Sequence, residues 1–430
     1  MDQQPCKESG QLTIPKTIWW NTPVRENSRE TDKRKIVLTG ASGAIGPYFV
    51  DYITAKNIDL LLVGRDADKL RAMFPNVEAA TYDDWAKEAS NVDILIHLAV
   101  ANNERKRARQ EFWSANVELP IDLASTAKTL GIKLFINVST YQIFDASPPN
   151  DYVKSKIEAK KRLDEQEGII VKHVILPYVK TDRWRGKVSI LNNFPSSVSG
   201  QVFGLLSAIK PTVVAEDVPK AVLDDLTSDE LLVSNGQAGN FYFHLFKTTT
   251  DYIFVLTLLL GFWWLLILCW LGIKLTSNGP GILKQPRVGR HCKVFNCLKF
   301  RTMYLGSPVA GTHELSAKYV TPVGKFLRKT KFDELPQIFN ILFGSMSLIG
   351  PRPCLPTQTE LIEARLRRDV YSAKPGISGL AQVNGIDMAD PELLARIDQQ
   401  YIKRQSILLE IRLLIMTFLG RGSGDRTKTL

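Results

Sequence analysis

Asp333 and Glu334 stand side by side in the run Arg328-Lys-Thr-Lys-Phe-Asp333-Glu334-Leu-Pro336-Gln337, and Leu335, Ile338, Phe339, Leu342 and Phe343 recur behind them at i, i+3, i+4, i+7 and i+8. That spacing predicts one apolar stripe of a helix, with Pro336 in its first turn. The acidic pair would then lie at the positive end of the helix, where a carboxylate, or a phosphate that it attacks or holds through Mg²⁺, is electrostatically favoured. Taken alone, an Asp-Glu ahead of a helix reads as a cap. Its neighbours change the reading. Lys299, Arg301, Arg328 and Arg352 can converge on a diphosphate, and Asp333 and Glu334 beside them suit a metal shared with the phosphates. A second constellation is Gly40-Ala-Ser-Gly43-Ala-Ile-Gly46, between a strand-type run (35–39) and a helical pattern (48–55). Glycines at a strand-to-helix turn let the backbone approach a pyrophosphate, and the helix N-terminus supplies N–H donors. The next strand-type run (59–63) ends at Gly64-Arg65, where an acid would favour NAD and a basic residue can meet the 2′-phosphate of NADP. Asp66, Asp83 and Asp84 read as helix caps or surface acids, one of the latter two within possible reach of an adenine.

The elements that must position these residues can be read from periodicity. Further strand-type runs (93–97, 133–138, 169–176) alternate with helical stretches (105–130, 151–165), which predicts an α/β fold with a doubly wound parallel sheet. From Tyr252 to Ile273 there are 22 residues without a charge. As a helix this segment would reach about 33 Å, enough for a hydrocarbon core of about 30 Å. It divides the 430 residues into a loose extension (1–33), a dinucleotide-binding domain (34–243), a membrane-embedded helix (250–275) and a second domain (276–430) ending in a helix (401–419) and a frayed tail.

Composition sets bounds. With 44% hydrophobic and 23% charged residues the chain is not mainly disordered, and a mean hydropathy near zero (−0.07) excludes a polytopic membrane protein. Its five cysteines are scattered without a Cys-x-x-Cys pair, which suggests neither a disulfide scaffold nor a zinc site and points to a reducing compartment. The N-terminal residues show no secretory signal. Between Lys274 and Lys331 twelve Lys/Arg face one acid, Glu314, so this stretch carries +11, the excess of the whole chain (55 − 44). Nucleic acid is excluded as its partner for want of a recognition module or interleaved stacking aromatics; phosphorylated substrates and anionic lipid remain.

The first domain resembles the short-chain dehydrogenase/reductase family, in its extended, sugar-nucleotide-modifying branch. The residues that carry this are Gly40, Gly43 and Gly46, the run Asp93-Ile-Leu-Ile-His-Leu-Ala99, and Val138-Ser-Thr140 ahead of Tyr152-Val-Lys-Ser-Lys156. The resemblance implies NAD or NADP as cofactor. Residues four apart share a helix face, so Lys156 is expected to lie beside Tyr152 and lower its phenol pKa. Tyr152 would exchange a proton with the substrate oxygen, and Thr140 or Ser139 would hydrogen-bond that oxygen.

Downstream, Gly279-Pro-Gly281, Gln285-Pro-Arg-Val-Gly289, Lys299-Phe-Arg-Thr-Met303, the Asp333-Glu334 run, Ser345-Met-Ser-Leu-Ile-Gly-Pro-Arg352-Pro353 and Lys374-Pro-Gly-Ile-Ser-Gly379 followed by Gln382 resemble the bacterial sugar transferases, the monotopic polyprenyl-phosphate phosphoglycosyl transferases. The resemblance implies a small, mainly helical α/β catalytic domain on the membrane. It implies transfer of a sugar 1-phosphate from a UDP-sugar to polyprenyl (undecaprenyl) phosphate with release of UMP. Asp333 would be the nucleophile of a phosphosugar-enzyme intermediate, and Glu334 would help hold Mg²⁺. Lys299, Arg328 and Arg352 would contact phosphate, with Gln382 and the 374–379 loop near the nucleotide or lipid phosphate. Both domains would use cytosolic nucleotides, so the apolar segment should enter and leave on one face of the bacterial inner membrane. Gly261, Gly272 and Thr257 are its only visible weak points, without a proline. The expected partners are a UDP-sugar, polyprenyl phosphate, membrane lipids and, as a homodimer, a second copy. The first domain would reduce or epimerise the UDP-sugar, or else bind cofactor without turnover and regulate the transferase.

Overall fold

The computed structural model describes residues 35–102, 107–144, 148–184, 186–226, 229–307 and 319–420; the expected N-terminal extension and nearly all of the expected tail lie outside them. The described residues divide into two compact units, one of 35–203 and 211–235, the other of 204–210 and 236–420.

The first unit is built on strands β1 (Lys35–Thr39), β2 (Asp59–Gly64), β3 (Glu78–Thr81), β4 (Val92–His97), β5 (Leu134–Thr140) and β6 (Ile170–Leu176). A short pair, β7 (Tyr178–Lys180) and β8 (Thr212–Val214), precedes β9 (Glu230–Leu232). The main sheet has the order β3-β2-β1-β4-β5-β6-β9 with every neighbouring pair parallel. Its central strands are near-continuous apolar runs because both faces are covered. Ile36, Leu38, Leu60, Leu62, Ile94 and Ile96 enter one core, and Val37, Leu61, Val63, Leu95 and Phe135 the other, as the two-residue alternation of a strand requires. The doubly wound sheet expected from alternation is therefore present.

The helical stretch expected over 105–130 is not one regular helix. Helix Arg109–Trp113 passes through a π-turn, Ser114–Glu118, into helix Leu119–Thr129. Pro120 is the reason. It has no N–H for the carbonyl four residues back, so the backbone widens locally and the Leu119 N–H donates to the Ser114 carbonyl.

The second unit contains the antiparallel pair β10 (Ile282–Val288) and β11 (Val294–Phe300) and the parallel pair β12 (Ser347–Ile349) and β13 (Gly376–Ser378), among helices. Its core gathers Cys297, Ile338, Ile341, Met346, Leu348, Ile349, Tyr401, Leu409 and Leu413 around Val255 of the apolar segment. The expected final helix is two helices, Pro391–Arg404 and Ile407–Phe418, because the chain is extended at Ser406, whose hydroxyl caps the second by accepting from the Leu409 N–H (3.3 Å).

The apolar segment begins earlier than its uncharged run and is broken. Helices Phe241–Gly261 and Trp263–Thr276 meet at 67°, and among the described residues no single helix is long and apolar enough to cross a membrane. The break falls at Gly261, one of the weak points. The Gly261 carbonyl that the break releases accepts a hydrogen bond from the Trp264 indole N–H (3.1 Å), and the Thr257 hydroxyl donates back to the Ile253 carbonyl (2.8 Å). Such side-chain donors do what a proline-induced kink otherwise needs, since a bend frees carbonyls that require partners. Leu260, Trp263 and Leu268 are more than half exposed along it.

At its base the first helix is held by charge. Lys247 Nζ donates to Glu410 Oε2 (2.7 Å) and to the Ile349 carbonyl (2.8 Å), and the Tyr401 hydroxyl donates to Glu410 Oε1 (2.6 Å). One turn on, Asp251 accepts from the Leu348 N–H (2.9 Å) and the Ser347 hydroxyl (3.1 Å) of β12. Lys247→Met would leave Glu410, only 3% exposed, without its cation. We expect a loss of about 3–5 kcal/mol, read as a lower unfolding midpoint in detergent, with Glu410→Gln in the same background recovering part of it.

Candidate active sites

In the second unit, helix Pro322–Thr330 starts on the Thr321 cap, whose hydroxyl accepts from the Gly324 N–H (2.9 Å), and ends at Lys331 in the left-handed region (φ 62°). Gly324 lets it lie against the chain after β11: a Cβ there would stand 2.1 Å from the Thr302 carbonyl oxygen. Lys331 turns the chain into a short 3₁₀ turn, Phe332–Glu334, which presents the acidic pair. Lys299 on β11 donates to Glu334 Oε1 (2.8 Å), and Arg352, just beyond β12, reaches the same oxygen (3.2 Å). Arg328 donates through Nε to the Thr302 hydroxyl (2.9 Å), and its charge acts on Asp333.

The two carboxylates are pushed apart. Burial opposes ionisation of Glu334, yet Lys299 and Arg352 hold its pKa well below the usual carboxylate range. Burial and the Glu334 charge raise that of Asp333, against Lys299, Arg328 and Lys331. Among the described residues Asp333 makes no hydrogen bond or ion pair. Adjacent groups with opposed environments are a common arrangement where two carboxylates take different roles.

Two expectations need correction. Arg301 does not join this cluster. It is 6% exposed and closes the end of helix Trp263–Thr276, donating to the carbonyls of Ser277 (2.9 Å) and Asn278 (2.7 Å): β11 ends at Phe300, and beyond it the guanidinium meets carbonyls that the helix end leaves without intrahelical partners. Nor is there a long helix behind the acidic pair. The 3₁₀ turn shifts the phase, Pro336 becomes the cap, and the helix runs only from Gln337 to Leu342, with Ile338 and Ile341 buried and Phe343 80% exposed. The electrostatics of the site therefore come from its side-chain cations rather than from a helix dipole.

In the first unit the glycine turn joins β1 to helix Gly46–Ala55. Gly40 has φ +77°, and a Cβ there would stand 2.5 Å from the Ala99 nitrogen; one at Gly46 would stand 2.1 Å from the Ala41 carbonyl oxygen. Apart from the Gly40 carbonyl oxygen at 3.0 Å, the space over Gly43 is open, which fits a pyrophosphate lying on the turn. Beyond β2, Arg65, Arg71, Thr81, Asp84 and Lys87 line an open cleft of about 600 Å³. Asp66 caps the next helix by accepting from the Lys69 N–H (2.9 Å), and Asp84 is engaged by the Thr81 hydroxyl (2.9 Å) and Lys87 (2.9 Å).

Tyr152, Lys156 and Thr140 come together at the carboxyl ends of β4 and β5. Thr140 lies near enough to the Tyr152 hydroxyl to act on its pKa. Lys156 does not act on it as expected: Nζ donates to the Val138 carbonyl (3.2 Å), and burial raises the Tyr152 pKa with only Thr140 opposing. Burial pulls the Lys156 ammonium down to about 8. Ser139 is buried with its hydroxyl unpaired.

Residues 242–421 match the family described as "Bacterial sugar transferase", and residues 36–163 match the "NAD dependent epimerase/dehydratase family". The chain carries a bacterial sugar transferase domain behind an epimerase/dehydratase domain. Among curated proteins, the chain is 38% identical over 198 residues to a UDP-glucose:undecaprenyl-phosphate glucose-1-phosphate transferase of Xanthomonas campestris pv. campestris, covering 43% of this chain and 40% of that one. It is 38% identical over 172 residues to an undecaprenyl-phosphate galactose phosphotransferase of Salmonella typhimurium, covering 35% of each. The chain thus spans well under half the length of these relatives. A solved UDP-N-acetylglucosamine 4-epimerase from Bacillus cereus aligns with 47% of the chain and 78% of its own, at 18% identity and a TM-score of 0.36.

In the epimerase/dehydratase domain sequence reasoning missed Asn116. The π-turn places it in the core, where Nδ2 donates to the Ala101 carbonyl (3.1 Å) and the Ser155 hydroxyl (3.0 Å), while Oδ1 accepts from the Ala101 N–H (2.9 Å). It thereby ties the loop after β4 to the helix that carries Tyr152 and Lys156. The signal available was an asparagine, a poor helix former, four residues before a proline inside a helical stretch. His97 was quoted but given no role. It is buried, shares a 2.8 Å hydrogen bond with the Thr39 hydroxyl, and is held neutral by a pKa pulled down to about 3, mainly by burial and further by Lys156.

The buried ammonium has a testable cost. Because the folded pKa of Lys156 (about 8) lies below its ordinary 10.5, the unfolded chain binds the extra proton between those values, so stability rises with pH across that window and the full penalty applies below it. Lys156→Met should raise the unfolding midpoint of this domain at pH 7, by at most about 3 kcal/mol. The gain should shrink towards pH 10; a gain independent of pH would assign it to packing instead.

Proposed function

We propose that the transferase domain moves a sugar 1-phosphate from a UDP-sugar to polyprenyl phosphate and releases UMP. The observation that carries this is the unequal acidic pair: Glu334 neutralised by Lys299 and Arg352, and Asp333 beside it without a hydrogen-bond partner among the described residues. Asp333 Oδ attacks the β-phosphorus of the donor, the bond to the bridging oxygen of UMP breaks, and an aspartyl phosphosugar remains. A phosphate oxygen of the lipid then attacks that phosphorus and returns the carboxylate. Splitting the reaction in this way lets a soluble and a lipidic substrate use one site in turn. Lys299, Arg328 and Arg352 hold the phosphates. Asp333 and Glu334 would offer carboxylate oxygens to Mg²⁺, with substrate phosphates completing its shell, and the ion would offset diphosphate charge. The names of the curated relatives, undecaprenyl-phosphate sugar-phosphate transferases, support the substrate class.

The bent apolar pair supports entry and return on one membrane face, which keeps both domains on the cytosolic side of a bacterial inner membrane, with the nucleotides. Membranes containing the chain, a panel of UDP-sugars, polyprenyl phosphate and Mg²⁺ should release UMP. Asp333→Asn should lower the rate at least about a thousand-fold. UDP as the by-product would overturn the assignment.

The epimerase/dehydratase domain we read as NADP(H)-binding and acting on a UDP-sugar. The Gly40–Gly46 turn would hold the dinucleotide and Arg65 would meet its 2′-phosphate; Tyr152, with Thr140 beside it, would pass a proton to or from the sugar oxygen, and the nicotinamide, when bound, would supply the redox chemistry. One observation favours a second reading, a cofactor-sensing module without turnover: Lys156 is engaged by the Val138 carbonyl instead of assisting the phenol. NADPH should bind at least about ten-fold tighter than NADH, and Arg65→Asp should reverse that order in a fluorescence titration. Turnover of a 4-keto UDP-sugar separates the two readings.

A further inference from the structure

Arg352 is a cation of the transferase site that stands on neither helix nor strand. It opens the stretch Arg352-Pro353-Cys354, yet its guanidinium meets Glu334 at 3.2 Å. An extended stretch of this kind keeps a fixed geometry only if its backbone groups are held from outside. Three successive carbonyls are. The Arg352 carbonyl accepts from Arg365 (2.9 Å), the Pro353 carbonyl from Arg287 (3.1 Å), and the Cys354 carbonyl from the Val288 N–H (2.9 Å). Arg365 is itself anchored by a buried ion pair with Asp398 (2.7 Å), 1% and 2% exposed.

Among the described residues Arg287 differs from Arg365 in having no carboxylate of its own. Its second amino group donates to Gln285 Oε1 (2.8 Å), and its buried Nε has no hydrogen-bond partner. The charges acting on it include Arg352, of like sign, and Glu334, which Lys299 and Arg352 already share. Near the acidic pair, Lys299, Arg287, Arg328, Lys331 and Arg352 thus outnumber two carboxylates, an excess that a dianion relieves.

We propose that Arg287 is a positioning residue for the diphosphate: it clamps the Pro353 carbonyl so that Arg352 is presented to the substrate, without itself touching the acidic pair. This rests on the transferase reading for the identity of the anion, but not for its binding.

The test is a double-mutant cycle on the full chain in detergent, with UDP and inorganic pyrophosphate as probes and the thermal midpoint as readout. Arg287→Gln and Arg352→Gln should each weaken both probes about ten-fold. The double variant should be no weaker than Arg352→Gln alone, because Arg287 acts through Arg352. Arg287→Lys, which keeps the charge but loses the planar fork, should recover only part of the affinity. The midpoint without ligand, read in parallel, separates a folding defect from loss of binding. Wild-type affinity in Arg287→Gln, or additive losses in the double variant, would overturn the proposal, as would a wild-type chain that neither probe stabilises. UMP release is measured separately, so probe binding that follows the cycle without UMP formation would sink the transferase reading alone.

Discussion

One carboxylate oxygen organises the transferase domain. Glu334 Oε1 takes Lys299 from β11 and Arg352 from the stretch beyond β12, so three parts of the chain, far apart in sequence, meet at one atom. Burying a charge there is costly, and two cations offset the cost only while both remain in place. Asp333, one residue away, is left with the opposite environment. The reactivity proposed for it is a consequence of how completely its neighbour has been neutralised.

The same strand links this site to the apolar segment. Lys247 and Asp251, one helical turn apart, bind the carbonyl of Ile349, the N–H of Leu348 and the hydroxyl of Ser347, and the chain then runs through Gly350 and Pro351 to Arg352. The buried polar groups of the apolar helix thus set the height of β12, and β12 sets the start of the arginine stretch. Crowding keeps that path rigid: a Cβ on Gly350 would stand 2.4 Å from the Lys374 carbonyl oxygen, and one on Gly376 2.1 Å from the Gly350 nitrogen. These contacts fix the distance between Arg352 and the exposed apolar helices.

The epimerase/dehydratase domain shows a different balance. Its sheet, glycine turn and Asn116 anchor are fully formed, and Thr140 acts on the Tyr152 hydroxyl. Lys156, however, is buried and satisfied by a backbone carbonyl. A lysine in that state destabilises its surroundings at neutral pH, which is understandable where a bound cofactor would give the ammonium a better partner.

How much of this was legible depended on the range of the interaction. Strand alternation, the glycine turn and the uncharged segment are local patterns, set by backbone geometry and solvent, and the sequence by itself determined the doubly wound sheet, the helix after Gly46 and the weak point at Gly261. It also placed Lys299, Arg328 and Arg352 with the acidic pair as residue types. The rest turned on contacts between residues distant in the chain. Arg301 and Lys299 are two apart in sequence and look equivalent as cations, yet Arg301, just past the end of β11, seals a helix end and Lys299 binds Glu334. The four-residue spacing between Tyr152 and Lys156 allowed a contact that the Val138 carbonyl took instead. Arg287 stands inside the Gln285–Gly289 motif, yet nothing local gives it a role, since its importance lies in one carbonyl 66 residues away. Hydrogen-bond partners are chosen by what packing brings within about 3 Å, and only the tertiary structure decides that.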